Sequence, residues 1–151
     1  MSIYHVDTQV EADFADRLAV DELIRLVESV LKQEKQPTGV SLTLVITDDQ
    51  HIRALNRDFR GVDRSTDVLA FGDAEDVEFV TAASAPPYLG DVVVSYSAAS
   101  AQAAERGYPV EKELALLVVH GVLHLLGYGH SSESERQLMW ARQEEILRHW
   151  H

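Results

Sequence analysis

The chain of 151 residues contains no cysteine. A disulfide framework and a thiolate metal site are both excluded, so any metal must be held by nitrogen and oxygen ligands. Basic residues are scarce: 13 Lys and Arg stand against 25 Asp and Glu, a formal charge of −12. That balance argues against broad, non-specific nucleic-acid binding, because phosphate affinity depends on neutralisation by Lys and Arg. The longest apolar stretches, such as ALLVV, fall far short of a membrane span. The opening MSIYHVDTQVEADFAD has neither the basic start nor the apolar run of a secretory signal. No repeat and no low-complexity segment is present. A soluble cytoplasmic protein with no membrane partner is the expectation.

The bulk composition is ordinary and its distribution uneven. An apolar fraction of 46% and a charged fraction of 25% suit one globular domain covering residues 1–151, long enough to bury a core. Arg53, Arg57, Arg60 and Arg64 lie close together in sequence, and Asp73, Glu75, Asp76 and Glu78 crowd the next loop. The arginines are either a local anion-attracting patch or a solvated helix face with i,i+4 partners.

Periodicity gives the elements. SIYHVDTQ, GVSLTLVIT, DVLAF (Asp67 to Phe71) and LGDVVVS read as strands. Helical spacing of Leu23, Leu26, Val27, Val30 and Leu31 predicts a helix from about Val20 to Gln33. A second helix runs through HIRALNRDF, capped by Asp48 or Asp49 and ending before Gly61. The stretch from Gly72 to Pro87 is acidic and Ala-rich, and reads as a surface loop. SAASAQAAERG forms a small-residue helix. Pro109 opens VEKELALLVVHGVLHLLG, apolar nearly all round and so buried on most sides. An amphipathic helix from about Ser134 to His149 closes the chain. Four strands and about five helices predict an α+β fold, a mixed sheet with one central buried helix.

That buried helix runs into HGVLHLLGYGH, His120 to His130. His120 and His124, one helical turn apart, can offer nitrogens to one ion, about 2.0–2.1 Å from each. Gly127 can take the left-handed conformation that ends a helix, and Tyr128 and Gly129 then carry His130 back towards the same point. Gly121 permits a close approach to the helix. Without an ion the first two would be core histidines satisfied by hydrogen bonds, yet burying two imidazoles in so apolar a helix is costly unless something binds them. Three ligands leave a fourth position open, the mark of a catalytic zinc site, where the pKa of water falls to about 7. A zinc peptidase of this spacing carries a glutamate base at position 121, and here that position holds glycine.

HGVLHLLGYGH resembles the His-Gly-x-Leu-His-Leu-x-Gly-Tyr-Asp-His signature of the YbeY family of metal-dependent endoribonucleases. Two further blocks agree in order: LNRDFRGVDRSTDVLAF at 55–71 and LGDVVVS at 89–95. The resemblance implies zinc held by His120, His124 and His130, with Arg60 as the essential arginine. It further implies cleavage of single-stranded RNA rather than DNA, 3′-end maturation of small-subunit ribosomal RNA, ribosome quality control, and contact with small-subunit ribosomal proteins. Gly129 departs from the family's Asp, and Ala70 and Gly72 from its Ser and Pro.

Phosphodiester cleavage tolerates the missing glutamate better than peptide cleavage does, since cations can stabilise charge spread over phosphate oxygens. An arginine can hold two such oxygens as a rigid fork. As an isolated residue, Arg60 would read as an ordinary surface arginine. Asp67 and Asp91 are candidate bases or orienting groups, though strand-end hydrogen bonding is their commoner role. Asp63 and Asn56 are weaker candidates, and the spacing of His5, His51, His149 and His151 recommends none of them. Two alternatives stay open: a metallopeptidase-like zinc hydrolase, and a ribosome-assembly binding factor with a structural metal. A vestigial metal site is a third.

Overall fold

A computed structural model describes residues 3–72, 88–129 and 131–150. Its elements run β1 (His5–Val10), α1 (Ala12–Ala15), α2 (Val20–Gln33), β2 (Ser41–Thr47), α3 (Asp49–Arg60), β3 (Val68–Gly72), β4 (Tyr88–Ser95), α4 (Tyr96–Arg106), α5 (Val110–Leu125) and α6 (Glu133–Arg148). The expected α+β class holds. The short α1 adds a sixth helix to the five anticipated. Its four residues, ADFA, are too few to show a period. Of the loop expected from Gly72 to Pro87, Gly72 ends β3 and residues 73–87 lie outside the described residues.

The strands pair in the order β1-β2-β4-β3, the first two pairings parallel and the β3–β4 pairing antiparallel. Alternation along the strands gives the sheet two unlike faces. Leu42, Leu44, Ile46, Val92 and Val94 turn to one face and join Leu26, Val30, Val118, Val122 and Leu123 of α2 and α5 in the main core. Val45, Leu69, Val93 and Phe71 turn to the other and meet Ile52 and Leu55 of α3 in a smaller cluster. Among the described residues α3 packs on that second face beside a groove, and β3 stands at the sheet's edge.

Caps fix where the helices begin. Asp48, not Asp49, caps α3 by accepting from His51 N at 2.8 Å. Asp49 instead accepts from Ser95 Oγ at 2.5 Å, tying α3 to the end of β4. At the start of α5, Glu113 is almost wholly buried, and accepts hydrogen bonds from Arg106 Nη1 at 2.9 Å and from the Tyr108 hydroxyl. A buried carboxylate is tolerable only with such partners. No helix among the described residues is long and apolar enough to cross a membrane.

Candidate active site

The last two turns of α5 carry His120 and His124. Both line a cavity of about 150 Å³ whose other walls are Arg60, Val68, Leu69, Ala70 and Gly121. Residues from α3, β3 and α5, far apart in sequence, therefore meet around one small space. The expected pair of imidazoles and the expected arginine are brought together.

Gly121 explains why no glutamate stands beside His120. A β-carbon at this position would overlap Val92 Cγ1 of β4, and would lie 3.3 Å from Val68 Cγ2 of β3. The helix rests on the sheet at position 121 with no room for a side chain. Hydrogen there sets the depth at which α5, and with it the histidine pair, sits against β3 and β4.

Gln143 was not anticipated. It is 4% exposed on α6, and its Oε1 lies 2.7 Å from His120 Nδ1. An amide oxygen only accepts, so this contact favours the tautomer with the proton on Nδ1, the one whose Nε2 lone pair suits a metal. The sequence did hold a signal. Met139, Gln143 and Ile146 are the buried residues of α6, spaced i, i+4 and i+7, and a glutamine inside an otherwise apolar stripe calls for a partner.

The turn after α5 is pinned by its own tyrosine. Gly127 has a φ of 104°, as a left-handed helix ending requires. The Tyr128 hydroxyl then donates to Glu34 Oε1 at 2.6 Å, and Arg142 Nε donates to Glu34 Oε2 at 2.9 Å. One carboxylate on the end of α2 thus holds both the turn and α6. Burial first, then Glu34, raises the Tyr128 pKa above its usual value, so the phenol remains a neutral donor.

Beside the turn, a β-carbon on Gly129 would lie 2.8 Å from Glu135 Oε2. Glu135 accepts from Ser131 Oγ at 2.5 Å, and its backbone N donates to Ser132 Oγ at 3.2 Å, capping α6. The Ser131 hydroxyl is the main cause that holds the Glu135 carboxyl below its usual pKa. A carboxylate therefore sits next to position 129 although the residue there is glycine. His130, the third expected ligand, lies outside the described residues. Among the described residues, no three His, Cys, Asp or Glu side chains converge to hold an ion.

The arginine cluster resolves unequally. Arg53 pairs with Asp63 at 2.8 Å and Arg57 with Asp58 at 3.1 Å. Arg53 also holds the Asp63 carboxyl below the ordinary range. Arg60 differs: its Nη2 donates to the carbonyl of Ala70 on β3, and its guanidinium stands 5.1 Å from the centre of the Phe71 ring. It lines the histidine cavity and also a larger groove of about 830 Å³ on the second sheet face. One side chain thus crosses the β3 edge and borders both spaces.

The remaining candidates separate cleanly. Asp91 and His51 line the larger groove with Arg60; Asp91 accepts from the Tyr88 hydroxyl and His51 Nδ1 meets Thr47 Oγ1 at 3.0 Å. Asp67 accepts from Gln102 Nε2 at 3.2 Å and its carbonyl from Ser95 N at 2.9 Å, a strand-end role. Asn56 donates to Arg64 O at 2.9 Å, closing the turn after α3. His5 lies on β1 and His149 beside Glu145 at 3.6 Å, neither of them lining the histidine cavity. His151 is outside the described residues.

The donor set fits a divalent cation such as zinc: two imidazoles on one helix face, one with its tautomer favoured by a buried amide, opening on a space bordered by an arginine.

Comparison with known proteins places the chain in a family. The family model described as endoribonuclease YbeY matches residues 6–151. A protein of Chloroflexus aggregans named endoribonuclease YbeY is 45% identical over 146 residues, covering 95% of this chain and 94% of its own. Its namesake in Geobacillus kaustophilus is 40% identical over 146 residues, covering 95% and 94%. A solution structure of a Thermotoga maritima protein is similar with a TM-score of 0.58 at 27% identity, covering 97% of this chain and 91% of that one. The chain belongs to the YbeY family.

Proposed function

We propose that this protein is a metal-dependent endoribonuclease that cuts single-stranded RNA, with zinc held by His120, His124 and His130 and with Arg60 facing it. Its place would be the 3′-end maturation of small-subunit ribosomal RNA and ribosome quality control in the cytoplasm, beside small-subunit ribosomal proteins. The observation that carries the reading is the cavity shared by Arg60, His120 and His124. The names of the relatives support the same activity.

The chain's own residues divide the work. Gln143 keeps His120 in the tautomer that presents Nε2. Arg60 uses one N–H on the Ala70 carbonyl, which anchors the planar fork while its other donors stay available for two oxygens of a phosphate. Val68 and Leu69 wall the space with apolar surface, which strengthens the attraction between guanidinium and phosphate by lowering the local dielectric. A bound zinc ion would supply Lewis acidity and a lowered pKa for water. The packing of Gly121 on Val92 disfavours the peptidase alternative, since position 121 cannot present a base to substrate.

Elemental analysis for bound metal, followed by cleavage of structured and unstructured RNA, tests the reading. Wild type should cut the unstructured strand and lose that activity on chelation, while Arg60→Ala and His124→Ala stay folded and inactive. Unfolding of His124→Ala would favour a structural ion, and metal-independent cutting would remove the proposed site.

A further inference from the structure

Three spaces are linked by the side chains that line them. The groove of about 830 Å³ shares Arg60 with the histidine cavity. That cavity shares His120 with a hollow of about 290 Å³ formed by Arg136, Met139, Trp140 and Gln143. Each outer space is bordered by a conspicuously exposed aromatic ring: Phe59, 70% exposed, on the α3 side, and Trp140, 57% exposed, on the α6 side. Single exposed apolar residues are common and need no cause. Two rings, one in each space that shares a lining side chain with the histidine cavity and each beside an arginine of that space, are a different observation.

We propose that a single RNA strand crosses this surface with its scissile phosphate between Arg60 and the histidines, and that the bases on either side stack on Phe59 and Trp140. This rests on the nuclease reading above.

Phe59 is held as a platform. Phe71 meets it edge to face, with ring centres 5.8 Å apart, and Arg60 lies over Phe71 in turn. The groove floor of Val45, Leu55 and Val93 is apolar, and Asp91 stands at its side. A carboxylate repels phosphate but not the face of a base, so the groove suits a base and the cavity suits the backbone. Stacking is indifferent to sequence because every base has a π-face. It also demands unpaired, splayed bases, which a duplex does not offer. Stacking further reconciles RNA binding with a formal charge of −12, since Arg53 and Arg57 are engaged by Asp63 and Asp58.

The test uses zinc-loaded protein and a single-stranded RNA octamer whose cut position has been mapped with wild type. For binding, the octamer carries 2′-O-methyl sugars and phosphorothioate linkages to resist cutting. In a Trp150→Phe background, where Trp140 is the remaining tryptophan, binding should quench the fluorescence. Phe59→Ala and Trp140→Ala should each weaken binding roughly ten-fold, whereas Trp140→Phe retains most of the affinity. Removing the base on one side of the mapped position should weaken wild type by a similar factor and cost nothing more in the matching variant. Leu138→Ala, exposed on α6 but bordering neither space, is the control and should bind as wild type. Unchanged affinity in either alanine variant, or an absence of quenching, with RNA still bound and cut, overturns the two-platform track and leaves the nuclease reading intact. Zinc-loaded wild type that neither binds nor cuts single-stranded RNA removes the nuclease reading itself.

Discussion

His120 Nδ1 and Gln143 Oε1 are 2.7 Å apart, so a side chain on α6 favours the proton on Nδ1 of a histidine on α5. Replacing the amide with an apolar group should leave Nδ1 unsatisfied and the tautomer unfixed. Gln143→Leu should weaken zinc binding roughly ten- to a hundred-fold, read by competition with a chromogenic chelator. Gln143→Glu keeps an acceptor at the same place and should restore most of the affinity. Equal zinc affinity in Gln143→Leu and wild type would show that Gln143 serves packing alone.

Arg60→Lys preserves charge but not the planar fork, and is a severe change where two oxygens must be held together. Single-turnover RNA cleavage should fall on the order of a hundred-fold or more. The thermal midpoint should hardly move, because Arg60 is a surface residue whose lost hydrogen bond to the Ala70 carbonyl contributes about 1 kcal/mol or less. A lysine variant cutting at the wild-type rate would reduce the role of Arg60 to charge.

Gly121→Ala forces a methyl group into Val92. Overpacking of this kind costs about 1–3 kcal/mol, measurable by urea denaturation. Trimming the obstacle with Val92→Ala should recover part of the loss, a coupling that a double-mutant cycle resolves. If the two changes simply add, the contact of Gly121 with Val92 does not limit how closely α5 approaches the sheet.

Glu135 gives a pH signature. Its carboxyl is held below the usual value chiefly by the Ser131 hydroxyl. A depressed folded-state pKa contributes stability that is present above the unfolded value and is lost as pH falls through the folded one. Between pH 6 and pH 3, wild type should therefore lose more of its urea midpoint than Glu135→Gln does. Gly129→Asp, which restores the family residue, sets a second carboxylate beside Glu135. It should be less stable than wild type at pH 7, with the difference narrowing in acid.

Local rules carried the sequence reading a long way. The apolar stripe of α2, the cap at Asp48 and the spacing of His120 and His124 are properties of short segments, and each appears in the structure where it was expected. Pairing across the fold was not legible. Nothing in DVLAF announces that β3 runs antiparallel at the edge of an otherwise parallel sheet. Charges alone could not show that Arg53 and Arg57 are neutralised by Asp63 and Asp58 while Arg60 bends to a strand carbonyl. Gln143 escaped for a related reason: a polar letter on an amphipathic helix reads as solvated until its position in the buried stripe is counted.

The reach of Arg60 over β3 bears on solubility as well as chemistry. A border strand with unclaimed peptide groups is an invitation for another molecule's backbone to add itself on. By occupying the Ala70 oxygen, the guanidinium removes one acceptor from the rim of the sheet, so the residue proposed to grip RNA also withdraws a point at which a second backbone could pair.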